Sequence, residues 1–223
     1  MDSDSHSSTH RLEAFSDGVM AIAITLLIIE IGVPHVTGDA SLGEQIGELW
    51  PSYGAYILSF VTIGIYWANH HSFTELFRRT DHAFLMLNVL FLMAIAFLPF
   101  PTAVLGEYLK EESQRADAVT FYSFALLLPV TAWCLLWLYS RWRGLLVEGL
   151  DPSFVRFMTV QYLLSFALYG SAVAVSFIEP WAALAICIGV TLLYLLPPRR
   201  PVFTDGARSG DQPVRVDPKS PRR

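Results

Sequence analysis

The first apolar stretch of the sequence, RLEAFSDGVMAIAITLLIIEIGV, carries Arg11, Asp17 and Glu30 at or near membrane depth. Such groups are costly in lipid and turn toward protein or water, which makes them candidates for handling an ion. At about 100° per residue, Gly18, Ile22, Thr25, Ile29 and Val33 share one helix face, with Leu26 at its edge. Asp17 lies roughly 140° from Ile22. One face is therefore apolar with a single hydroxyl, and the other begins with Ser16 and Asp17. His70 and His71 close a second apolar stretch, and Asn88 lies one to two turns into a third. Alternate crossings of a bilayer put Arg11, Asp17, His70, His71 and Asn88 in one layer near the inner surface. Two readings fit that layer: hydrogen bonding that glues helices together, and a proton relay or gating latch.

Enzyme chemistry finds no footing in this set. It requires a nucleophile with a base, or clustered metal ligands. The nearest candidates, His70 and His71, point about 100° apart on a helix. No residue is nominated as catalytic, cofactor-binding or metal-ligating. Cys134 and Cys187 lie inside apolar runs and read as small packing residues.

The elements that must position these residues are membrane helices. Of 223 residues, 53% are apolar and only 16% charged, against about a quarter charged in soluble domains. Mean hydropathy is +0.44. Six spans are expected, over about 11–33, 47–74, 81–105, 117–140, 152–178 and 180–196. Pro129 should kink the fourth, which membrane helices tolerate. A barrel would show alternating segments of about 10 residues, and these runs are longer. Residues 1–10 and the proline- and arginine-rich 197–223 read as disordered tails. The start lacks a secretory-signal pattern, so the first span should be retained. No internal repeat is visible.

Charge sets the orientation. With both termini in the cytoplasm, thirteen of the fifteen lysines and arginines fall inside, and only Lys110 and Arg115 fall outside. The outer segments carry Asp39, Glu44, Glu48, Glu107, Glu111, Glu112, Asp117 and Glu179. An acidic rim raises local cation concentration. It is also what a positive-inside distribution leaves behind.

Arg11 followed by Phe15-Ser16-Asp17-Gly18 resembles the RxxxFSDG signature of the potassium-channel family named after transmembrane protein 175. Tyr66-Trp67-Ala68-Asn69-His70-His71 is similar to that family's W-x-N-H-H block. Leu87-Asn88-Val89-Leu90-Phe91 and Leu98-Pro99-Phe100-Pro101-Thr102 resemble its third-span blocks. The last three spans match in length and hydropathy.

The resemblance implies an all-α integral membrane fold with six transmembrane helices per subunit. It further implies a homotetramer, with the first helix of each copy lining a central pore, in the plasma (inner) membrane of a prokaryote. Eukaryotic members carry the six-span unit twice and this chain carries it once. Carried over by position, the implied constriction falls on Ile22, with Thr25, Leu26 and Ile29 further along. The implied interhelical network comprises Arg11, Phe15, Ser16, Asp17, Trp67, His70, His71 and Asn88. Potassium is the implied permeant ion, with no cofactor. The implied partners are other copies of the chain and the lipid bilayer, with no nucleic acid.

A hydrophobic constriction can close by dewetting, and Thr25 would supply a ring of hydroxyl oxygens. A proton-coupled cation transporter or exchanger using Asp17, Glu30 and the His70/His71 pair is the alternative. It would favour internal repeats and broken helices at mid-membrane. Thr62-Ile63-Gly64-Ile65-Tyr66 superficially matches a carbonyl filter. It lies inside a continuous apolar run and is expected to be helical.

Overall fold

The computed structural model describes residues 2–34, 41–196, 199 and 201–203. Among these it shows eight helices: α1 (Asp2–Ile29), α2 (Leu42–Glu48), α3 (Trp50–Thr74), α4 (His82–Phe97), α5 (Pro99–Tyr108), α6 (Arg115–Trp142), α7 (Pro152–Ser176) and α8 (Pro180–Tyr194). Four runs are long and apolar enough to cross a membrane: Arg11–Ile29, His82–Tyr108, Arg115–Trp142 and Pro152–Ser176. α3 has 25 residues but carries histidines, hydroxyls and Asn69. α8 has 15 residues, which is about 22 Å of helix.

Two boundaries differ from expectation. α1 begins at Asp2, so helix replaces the tail expected over residues 2–10. Extending an existing helix adds one hydrogen bond per residue fixed, whereas starting one is costly. The third span is divided at Leu98 into α4 and α5. Pro99 and Pro101 bring no amide hydrogens, and proline is tolerated in a first helical turn. Apart from residues 199 and 201–203, the expected C-terminal tail lies outside the described residues, as does Asp39 of the acidic rim.

Local signals explain the helix ends. Asp81, Asp151 and Glu179 cap α4, α7 and α8 by accepting backbone N–H bonds. Ser41 and Glu44 form a reciprocal capping box on α2, and these bonds hold the Glu44 carboxyl below its usual range. α6 ends with Gly144 at φ +62°, the left-handed conformation that glycine adopts without penalty. α6 runs unbroken through Pro129. Thr62–Tyr66 is helical within α3, so no carbonyl filter forms there.

α6 is the hub. It packs against α4, α5, α7 and α8, while α1 packs against α3, α4 and α5. At its centre Phe73, Phe91, Trp133 and Trp137 form an aromatic cluster, with Phe73 and Trp133 centroids 4.3 Å apart. The Trp137 indole N–H donates to Thr159 Oγ1 on α7 at 2.8 Å. In lipid, such dispersion contacts and hydrogen bonds hold helices together, because burial away from water supplies little. Cys134 and Cys187 are buried and unpaired with each other, as packing residues should be.

Candidate functional site

α1 has two stripes. Leu12, Ser16, Met20, Ala23 and Leu27 are buried, spaced by three or four residues on the face packed against its neighbours. The opposite stripe is open in the single chain. Ile22 is 62% exposed and Ile29 72%, and Thr25 and Leu26 lie exposed between them. This is the face selected by helical spacing in the sequence. The Thr25 hydroxyl donates back to the Ile22 carbonyl at 2.9 Å. Its proton is thereby occupied, and its lone pairs remain available.

The buried stripe is anchored by a polar triad. Asn88 on α4 donates its amide to Ser16 Oγ at 3.2 Å. Asn88 Oδ1 meets His70 Nε2 on α3 at 3.3 Å. A carbonyl oxygen only accepts, so His70 carries its proton on Nε2 in this arrangement. The ring also stacks on Phe91, 6.2 Å between centroids. All three members are buried, and no buried side-chain nitrogen or oxygen among the described residues lacks a partner. The triad joins α1, α3 and α4 at a point where lipid offers no substitute hydrogen bond.

A second cluster lies about one turn below. Glu13 accepts from the Thr74 hydroxyl, and its carboxylate lies 3.6 Å from His71 Nδ1. His71 Nε2 lies 3.5 Å from Glu75. Glu13, Thr74 and Glu75 were not singled out in the sequence. Glu13 sits three residues before Ser16, so a carboxylate near the buried stripe was the available signal.

The eight residues expected as one interhelical network therefore separate. Ser16, His70 and Asn88 bond together in the core, and His71 joins the Glu13 cluster. Arg11, Phe15, Asp17 and Trp67 lie exposed on the single subunit. Ser16 and Asp17 do not share a face as expected. Consecutive helical residues point about 100° apart, so Ser16 turns inward and Asp17 outward. Glu30 is exposed beyond the other end of α1, far along the helix from Asp17. No group of three or more histidine, cysteine or carboxylate side chains fit to hold a metal exists among the described residues.

The family model described as "Endosomal/lysosomal potassium channel TMEM175" matches residues 11–99, the segment that holds the open stripe of α1 and the triad. A potassium channel of Chamaesiphon minutus is 40% identical over 193 residues, covering 85% of this chain and 95% of the relative. The chain belongs to the TMEM175 family. A second potassium channel, from Streptomyces collinus, is 40% identical over 185 residues, 82% of this chain and 89% of the relative. The solved structure of a lysosomal potassium-selective channel TMEM175 homolog from Chamaesiphon minutus matches with a TM-score of 0.77. It is 40% identical, and the match covers 85% of this chain and 97% of that one. A Gallus gallus relative named as an endosomal/lysosomal proton channel is 33% identical over 174 residues, 72% of this chain and 33% of the relative. The relatives are named as ion channels, not enzymes, and this chain is a prokaryotic-type member of their family.

Proposed function

We propose that four copies of this chain form a potassium-selective channel, with the open stripe of α1 lining the pore. The observation that carries this reading is the division of α1. One stripe is locked by packing and the Ser16–Asn88–His70 triad, and the opposite stripe is exposed among the described residues. One such helix cannot enclose a path, and a closed cyclic ring of four can. Ile22 forms the constriction, with Thr25, Leu26 and Ile29 continuing the wall. A ring of isoleucines excludes water when narrow and admits it after a small widening. Thr25, its proton already donated, offers oxygen lone pairs to a cation that has shed part of its hydration shell.

The six crossings in this reading are α1, α3, the α4–α5 pair, α6, α7 and α8, with both termini on the cytoplasmic side of the bacterial inner membrane. The alternative of a proton-coupled exchanger gains no support from the geometry, because Glu30 lies at the far end of α1 from Asp17 and the two histidines. Proton permeation is a separate matter, favoured by the names of the vertebrate relatives, and it is measured alongside potassium. Purified protein in liposomes should pass potassium faster than sodium without a pH gradient. Ile22→Asn should raise flux by wetting the constriction. Unchanged flux in that variant moves the gate elsewhere, and flux that requires a proton gradient overturns the channel.

A further inference from the structure

The face of the bundle remote from α1 carries a feature that the pore does not use. α7 packs on α6 and α8, whereas α1 packs on α3, α4 and α5. Between α7 and α8 lies a groove of about 370 Å³. Its wall is apolar, with Val160 and Leu164 one turn apart on α7 and Leu193 on α8, all exposed. Its end is polar. Arg199 lines it there, over Phe157; Gln161, Ser165 and Tyr194 line it further along, where it shares lining residues with a smaller cavity of about 80 Å³ that holds Thr62, Tyr169 and Thr191.

Arg199 lies against an aromatic face. Its guanidinium lies 4.1 Å from the Phe157 ring centroid. It forms no ion pair among the described residues. A guanidinium held over a ring face by its charge keeps N–H donors for an anion, and its fork geometry suits a phosphate. A cation at one end, with Val160, Leu164, Leu168 and Leu193 along the groove beyond it, matches the charge and apolar length of a single amphiphile in one leaflet. Basic pockets between membrane helices on the cytoplasmic side take anionic lipid headgroups by the same physics.

We propose that the α7–α8 groove binds an anionic phospholipid of the inner leaflet, its phosphate on Arg199 and an acyl chain along Val160, Leu164 and Leu193. The leaflet rests on the orientation proposed above, while the site depends on neither ion selectivity nor gating. A lipid seated there bridges the last two helices from outside the channel and never enters the ion path.

The test uses the full-length protein reconstituted in nanodiscs of phosphatidylcholine containing a minority of phosphatidylglycerol. Lipid retained after extraction is counted by native mass spectrometry. Phosphatidylglycerol should be enriched about fivefold over its bulk fraction, the equivalent of about 1 kcal/mol for one arginine. Arg199→Gln should abolish the enrichment, and Arg79→Gln, on the exposed α3–α4 turn, should leave it intact. Leu164→Trp should fill the groove and reduce retention of both lipids. Absence of headgroup preference overturns the proposal, as does equal loss in Arg79→Gln, which indicates unspecific attraction to basic surface. Full competition by soluble glycerol phosphate places a free anion there instead of a lipid. Dissociation of subunits by Leu164→Trp places a second copy in the groove and also overturns it. Potassium flux measured on the same samples separates failure of this site from failure of the channel reading.

Discussion

Asn88→Ala tests the anchor of α1 most directly. The substitution removes both bonds of the triad and leaves the Ser16 hydroxyl and His70 Nε2 without partners in a buried site. Each orphaned group costs about 1 kcal/mol at the lower end of the usual desolvation penalty. The lost side-chain volume adds a cavity contribution, since the site lies in packed core. The expected destabilisation is about 2–3 kcal/mol. Net bond strength sets a different figure. At 3.2 and 3.3 Å both bonds are long, so the membrane-protein average of about 0.6 kcal/mol each applies. Deleting the partners together should therefore cost less than the single change suggests. In a Ser16→Ala background, Asn88→Ala should be about 1 kcal/mol milder, because one orphan no longer exists.

The measurement is equilibrium unfolding of purified protein in mixed micelles, followed by far-ultraviolet circular dichroism as the denaturing detergent fraction rises. Liposome flux is measured on the same variants. The potassium-to-sodium ratio should hold, because the proposed constriction is on the opposite stripe of α1. A cost under about 0.5 kcal/mol, or an identical cost with and without the Ser16 hydroxyl, would show that the triad does not hold the helix. A changed ion preference with unchanged stability would make the triad part of a latch.

Other expectations follow from single contacts. A methyl group at Gly106 would lie 2.9 Å from the Ser52 Cα and 2.8 Å from its hydroxyl, so α3 and α5 meet there backbone to backbone. Gly106→Ala should force them apart and cost about 1–3 kcal/mol, and an unfolding midpoint equal to wild type would contradict the close approach. Asp81 accepts from the Phe84 amide at 2.9 Å and the Tyr139 hydroxyl at 2.8 Å, with Arg143 at 3.7 Å. The Phe84 bond is the largest influence holding its carboxyl below the usual range. A lowered value means the stabilisation is complete above the unfolded carboxyl value of about 3.9 and is lost as pH falls through the folded one. Acid unfolding of Asp81→Asn should accordingly lack that component, and superimposable acid transitions would remove Asp81 from the ledger. Asp17→Leu should leave the fold of the subunit intact while weakening subunit association, read by size-exclusion chromatography with light scattering. Undiminished association would place Asp17 away from the interface and the vestibule.

The sequence made α1 legible because helical spacing needs only one helix to be correct. It separated Ile22, Thr25 and Ile29 from the packed face, and the exposures agree. It misjudged Ser16 and Asp17 because depth was weighed without the 100° step between them. The α2 helix was written in Ser41-x-x-Glu44, a capping box that hydropathy does not register. The split between α4 and α5 was likewise signalled by Pro99-x-Pro101. Other features could not be read from a single chain in one dimension. Thr62 and Thr191 bond at 3.2 Å across 129 residues of sequence, and the α7–α8 groove draws on side chains from three helices and the segment after them. Such pairings depend on crossing order and rotation, and apolar runs of similar hydropathy do not specify either.

Hydropathy alone would give the open stripe of α1 to lipid, since Ile22, Ile29 and Val33 are as apolar as any lipid-facing residue. The other exposed residues on that helix argue otherwise. Asp17 is exposed in the subunit six residues beyond Arg11, about 9 Å along the axis. A carboxylate turned to lipid in a helix interior costs about 2.5–3.5 kcal/mol even on the lenient insertion scale. Four copies would multiply that cost. Facing a neighbouring subunit or a wet vestibule, the same side chain costs little. Gly18 and Thr25 fit the second setting too, because a small residue lets helices approach and a hydroxyl with free lone pairs has no use against hydrocarbon. In the proposed tetramer, Gly18 and Thr25 turn the apolar stripe toward the shared axis, while Asp17, about 140° from Ile22, takes the boundary with a neighbouring subunit.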